Sequence, residues 1–140
     1  MSVTFKDNSR EVLNALDEAT GRALEKMGLL AEGYAKKLCP VGTVESTGKK
    51  GYRGGTLRNS ITHVPGEQST MIIGSNVEYA PYVELGTGPY FEAPPQWEQF
   101  ESQKGSGKGH GYVHPRPFLR PAIEEHKDEY KQIAADEFKG

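Results

Sequence analysis

The sequence lacks most of what would mark a membrane, secreted or nucleic-acid-binding protein. One cysteine, Cys39, in 140 residues leaves no internal disulfide, as in proteins of reducing compartments. No apolar run approaches the ~20 residues that span a bilayer. The opening stretch MSVTFKDNSREV has no apolar h-region, so no secretory leader is expected. Neither sign of charge is in excess. The 17 basic and 19 acidic side chains leave a net charge of −2, which supplies no global attraction to nucleic acid. Walker A, G-x-S-x-G and G-x-G-x-x-G patterns are absent, and with them the familiar phosphate-loop and hydrolase signatures. Apolar residues are scarce, at 35%, and no internal repeat is visible.

What the chain does have is glycine and proline, 17 and 9 of them, which call for irregular segments. The length is that of one domain, 1–140. The first part reads as helix. Apolar residues recur at Val12, Leu13, Leu16, Ala19, Ala23, Leu24, Met27, Leu30, Ala31, Tyr34, Ala35 and Leu38, one stripe at spacings of three and four. Asn8 with Glu11 forms a capping-box pattern at its start, and Pro40 ends it. About 30 residues at 1.5 Å each give ~45 Å, more than the diameter of a compact chain with a radius of gyration near 14 Å. Either Gly21, Gly28 or Gly33 bends the helix, or its end overhangs and packs on another subunit.

Beyond the helix, residues 41–55 form a Gly-rich basic loop. Segments 56–64 and 69–76 read as two strands around the turn composition Pro65-Gly66-Glu67-Gln68, a β-hairpin. Val3 and Phe5 suggest a short N-terminal strand. In residues 77–88 the spacing of Tyr79, Ala80, Tyr82 and Val83 predicts a short helix, capped by Asn76 and stopped by Gly86. Residues 89–115 show no useful period yet hold Tyr90, Phe91, Trp97, Phe100 and Tyr112. Structureless segments this long are usually functional or disordered, and because linkers carry few aromatics this one reads as an extended arm ordered against a partner, with a mobile tip at Gly105-Ser106-Gly107-Lys108-Gly109. A final helix starts near Pro121. Helices and an antiparallel sheet segregated in this way make an α+β fold, with long N- and C-terminal helices packed on a small antiparallel sheet.

No constellation for catalysis stands out. His110 and His114 are four apart but flank Gly111 and Pro115, with no third metal ligand at a characteristic spacing. Cys39 lies at a helix C-terminus, where the dipole raises a thiol pKa. Glu78 with Glu84, Glu98 with Glu101, or Glu84 with His63 or His114 could be brought together by folding, but nothing marks a matched acid and base. The expectation is no enzyme, no cofactor and no metal. The basic residues Lys49, Lys50, Arg53 and Arg58 support an alternative reading as a DNA-contacting module, in the form of a patch that touches DNA non-specifically.

Three segments carry a resemblance. They are Leu57-Arg58-Asn59-Ser60-Ile61, the run from Gly74 to Gly88 (GSNVEYAPYVELGTG), and Arg116-Pro117-Phe118-Leu119-Arg120-Pro121-Ala122-Ile123. In this order, after an N-terminal amphipathic helix, the chain resembles the HK97-type small tail-component family of lambdoid siphophages, the neck and tail-completion proteins. The loops at 41–55 and 89–113 are longer than the family pattern. The resemblance implies a structural, non-enzymatic connector at the head–tail junction of the virion, assembled in the host cytoplasm. It also implies a homo-oligomeric ring, of six copies to match a tail tube or twelve to match a portal, with other neck and tail proteins as neighbours and no membrane. On this reading Tyr79, Tyr82, Glu84, Tyr90, Phe91, Trp97, Phe100 and Tyr112 are interface candidates. Gly86, Thr87, Arg116, Pro117, Phe118 and Arg120 are a fold-locking motif, with Glu84 pairing to Arg58, Arg116 or Arg120. Lys49, Lys50, Arg53 and Arg58 would face DNA in the channel.

Overall fold

The apolar stripe of the first forty residues becomes one helix, α1, running unbroken from Ser9 to Leu38. In this computed structural model residues 7–42, 54–109 and 111–139 are described. The expected strand at Val3 and Phe5, most of the basic loop, and His110 lie outside them. Between bending and overhang, α1 takes the overhang. Residues 9–18 are all exposed, and Val12, Leu13 and Leu16 are 54%, 59% and 46% accessible. Burial begins at Ala19 and continues through Ala23, Gly28, Ala31 and Ala35. The expected capping box does not form, because Asn8 makes no side-chain cap bond. Asp7 Oδ1 accepts from the Ser9 N–H instead, at 2.9 Å.

Residues 56–60 are a helical turn, α2 (Thr56–Ser60), not the start of a strand. The reason is the burial of Leu57 and Ile61, 5% and 1% accessible. They are four apart, so a helical turn puts both on the core side, whereas strand parity would also have buried Asn59, which is exposed. The hairpin follows, shorter than expected: β1 (Thr62–Pro65) pairs antiparallel with β2 (Met71–Gly74), His63 opposite Ile73 and Val64 opposite Ile72. Gln68 and Ser69 take the positive φ values that close the turn. Among the described residues these two strands form the sheet. Its inner face lies on α1; Val64 and Ile72, on the other face, are half exposed.

The short helix α3 (Ala80–Leu85) is entered from Tyr79 rather than Asn76, with Pro81 in its first turn. Gly86 ends it at φ 75°. The segment expected as one extended arm carries two 3₁₀ stretches, Gly88–Tyr90 and Pro95–Gly105. The expected single C-terminal helix is two, α4 (Leu119–Glu124) and α5 (Lys127–Lys139). The break places His126 flat on Tyr34 of α1, ring centroids 3.5 Å apart. Helix α5 then returns antiparallel along α1, so that Glu137 pairs with both Arg22 and Lys26.

The core gathers where these elements meet. Ala35, Cys39, Leu57, Ile61, Ala80, Phe118 and Ala122 are buried together, with Tyr34, Ile73, Val77, Val83 and Leu119 packed around them. Small residues on α1 let the other elements approach closely. The bulk comes from Phe118, Ile61 and Leu85, the largest fully buried side chains, each contributing about 1.5–3 kcal/mol. The architecture is α+β, with α1 as the shared floor for hairpin, α4 and α5.

Candidate functional site

The residues singled out in the sequence divide into an internal clasp and a set of exposed aromatics. The clasp centres on Glu84, on the last turn of α3 and only 2% accessible. Its Oε2 accepts the backbone N–H groups of Phe118 and Leu119 at 2.7 and 3.0 Å. Its Oε1 accepts the Arg120 N–H at 3.1 Å and the Arg120 Nε at 3.0 Å. The Arg120 Nη2 donates to the Glu84 carbonyl at 3.0 Å. The carboxylate therefore caps the start of α4, a favourable place for negative charge. Of the three arginines considered as partners, Arg120 makes the pair, and it straddles carboxylate and carbonyl rather than forking onto the carboxylate alone. Glu84 is thus an internal anchor rather than an exposed contact.

Thr87 extends the clasp, donating its N–H to the Val113 carbonyl and accepting the Val113 N–H at Oγ1, both at 2.8 Å. The Arg116 N–H donates to the Val83 carbonyl at 2.8 Å. Gly86 is required here, since at its positive φ an added Cβ would lie 2.7 Å from the Val113 carbonyl oxygen. Pro117 leads into Phe118, which is completely buried. Gly86 and Thr87 thus meet Val113 and Pro115, while Arg116 and residues 118–120 bond to Val83 and Glu84.

Outside the clasp, Tyr79, Tyr82, Tyr90 and Tyr112 are 40–46% accessible. The arm's aromatics pack on this chain. Tyr90 stacks on His114 at 3.6 Å and meets Tyr112 edge-on at 6.4 Å. Trp97 meets Phe100 at 6.3 Å, with the Arg120 guanidinium 5.8 Å above Trp97, and Phe91 lies 5.9 Å below the Lys104 ammonium. Trp97 and Phe100 line a cleft of about 360 Å³ against Val77, Pro81 and Leu119.

One polar cluster escaped the sequence reading. His63 on β1 bonds through Nε2 to Glu25 at 2.8 Å and through Nδ1 to Glu32 at 3.4 Å. The Glu25 bond is the largest cause holding the imidazole above its ordinary pKa, with Glu32 adding to it against partial burial. Acids seven apart on a helix are one signal that could have found it, since they share a face. Neither His63 nor His114 joins Glu84, whose bonds go to residues 118–120. Among the described residues no group of three or more His, Cys, Asp or Glu side chains is placed to hold a metal ion, and no helix is long and apolar enough to cross a membrane. Of the basic patch, Arg58 is described and exposed; Lys49, Lys50 and Arg53 lie outside the described residues.

A model of the family described as "Bacteriophage HK97-gp10, putative tail-component" matches residues 4–86, more than half of the chain. The chain belongs to this family. No curated protein matches the chain, and neither does any solved structure. The HK97-gp10-like match spans α1, α2, the hairpin and α3, and it stops at Gly86. The Arg116–Ile123 motif and the arm lie beyond it. The clasp is one of the ties between that second part of the chain and the HK97-gp10-like part, beside the packing of α4 and α5 on α1.

Proposed function

We propose that this chain is a non-enzymatic structural subunit of a tailed-phage particle, a single domain that closes into a ring at the head–tail junction. The observation that carries this reading is the free end of α1. Ten residues of helix reach about 15 Å beyond the packed domain and present Val12, Leu13 and Leu16 half exposed on one side. A lone helical end of this kind gains nothing from its apolar residues until another surface covers them. Covering them with a different patch of the next copy makes a heterologous contact, which closes into a ring when the rotation allows. Exposed Tyr79, Tyr82, Tyr90 and Tyr112 add amphipathic anchors suited to such contacts or to neighbouring tail proteins. The occupied state of Glu84, and the pairing of His63 with two carboxylates, support a structural role for groups that could otherwise have served catalysis.

Imaging of assembled particles, with native mass spectrometry of the purified chain, tests the proposal. Six or twelve copies at one level of the junction are expected. Leu13→Glu should abolish incorporation while shifting unfolding stability by less than about 0.5 kcal/mol, as an exposed site allows. A chain that remains a monomer both at high concentration and within particles overturns the ring, and incorporation unaffected by Leu13→Glu overturns the role of the overhang.

A further inference from the structure

The hairpin leaves one edge open above an apolar groove. The Gly66 N–H donates to the Thr70 carbonyl at 2.8 Å. Alternation along an antiparallel pair then makes Val64 with Ile72, and Thr62 with Gly74, the bonded pairs. The N–H and C=O groups of Met71 and Ile73 therefore point away from β1, and no other described backbone group bonds to them. The opposite edge is blunted by Pro65, which has no N–H to offer. Beside the open edge lies a groove of about 190 Å³. Leu24, Met27, Gly28 and Ala31 of α1 form its floor, Met71 and Ile73 one wall, Ile123 and Tyr130 the other. It lies between the sheet and the C-terminal helices, with edge groups along one side that no described backbone group bonds.

We infer that this groove receives residues 2–6 of a second copy as an added strand on β2. Three observations select that occupant. First, Ser2-Val3-Thr4-Phe5-Lys6 alternates, so that Val3 and Phe5 face one side and Thr4 and Lys6 the other. An added strand needs this pattern to lay apolar side chains on the α1 floor and polar ones toward solvent. Second, its own copy cannot supply it. Gly28, against which Met71 packs, lies about 30 Å along α1 from Asn8. Val3 and Phe5 reach at most about 18 Å and 11 Å from Asn8 even when fully extended. A segment 2–6 seated in this groove therefore comes from another copy. Third, the charges are complementary. Lys6 is positive, while the exposed charges beside Ile123 and Tyr130 (Glu124, Glu125, Lys127, Asp128, Glu129 and Lys131) are acidic on balance. This inference rests on the ring reading and names the contact that would link successive copies.

The test places a photoreactive benzoylphenylalanine at position 5 of the full chain and irradiates assembled particles or the purified assembly, using mixed isotopically light and heavy chains. Crosslinks are expected between copies, from position 5 to Met27, Met71 or their groove neighbours. Assemblies that form but crosslink elsewhere, or only within one copy, overturn the strand exchange and leave the ring standing. Failure of any assembly overturns the ring itself. A second measurement does not need the ring. A peptide of residues 2–8, added in excess to isotopically labelled full chain, should slow amide exchange at Met71 and Ile73 about tenfold at saturation. A peptide with Val3→Ser and Phe5→Ser should not. If the native peptide leaves those two amides unmoved, the groove does not take this strand.

Discussion

Replacing Glu84 by glutamine changes almost no volume and removes one acceptor oxygen from a site where four donors converge. Each oxygen of the carboxylate serves two of them: Phe118 and Leu119 backbone N–H groups on Oε2, the Arg120 N–H and Nε on Oε1. Whichever way the amide of Glu84→Gln turns, its NH₂ faces one of these pairs, and two donors in a site 2% accessible lose their acceptor. A buried donor left unpaired costs about 1–3 kcal/mol, and the Arg120 guanidinium also loses its countercharge. A destabilisation of about 2–4 kcal/mol follows. With a urea m-value of roughly 1.5 kcal/mol/M for a chain of this size, the midpoint should fall by roughly 1.3–2.7 M. Urea titration followed by far-ultraviolet circular dichroism reads this directly, and the slope should be unchanged. A midpoint shift below about 0.5 M for Glu84→Gln at constant slope would refute the claim that the carboxylate holds the clasp through the backbone of residues 118–120.

Two further predictions concern α1. Gly21 and Gly33 are helical and exposed, and an added Cβ at either meets nothing within 4 Å, so Gly21→Ala and Gly33→Ala should each stabilise by about 0.5–1 kcal/mol, whereas Gly28→Ala, whose Cβ would meet His63 and Met71 at 2.8 Å, should not; thermal unfolding separates the three. The His63 cluster predicts a pH dependence of definite sign. Because the folded pKa is raised above that of a free imidazole, the stabilisation is fully present below the unfolded value and is lost as pH rises through the folded pKa. Stability measured from pH 6 upward should therefore decline, His63→Gln should remove that part of the slope, and a flat profile in the parent chain would contradict the pairing with Glu25 and Glu32.

Local pattern was enough for α1 and for the hairpin turn. A stripe repeating every three or four residues over thirty positions admits one periodicity, and Pro65-Gly66 between β-branched runs admits a reversal. The same logic failed at residues 56–60. There Leu57 and Ile61 fit both a strand of one parity and one face of a helix, and only the position of the core, beside Ala35 and Phe118, decided between them. It failed again at the last helix, where periodicity ran smoothly through Glu125 and His126. The break there sets His126 on Tyr34, a residue more than ninety positions earlier, a tertiary contact that local periodicity does not contain.

The functional residues divide in the same way. Composition alone excluded a disulfide framework and a bilayer-spanning run, and the family resemblance singled out Gly86 and the Arg116–Arg120 stretch, with Glu84 as an interface candidate whose arginine partner stayed open. That Glu84 caps α4 through three backbone N–H groups could not be read in advance, because backbone donors are the same at every position and only their placement distinguishes them. Nor could the open edge of β2, which depends on what fails to pack beside it. The sequence by itself determined a helix too long for its domain and the chemistry of the residues around it. The tertiary structure decided which end of that helix stands free, because small residues from Ala19 onward admit close neighbours, while Val12, Leu13 and Leu16 have none within the described fold.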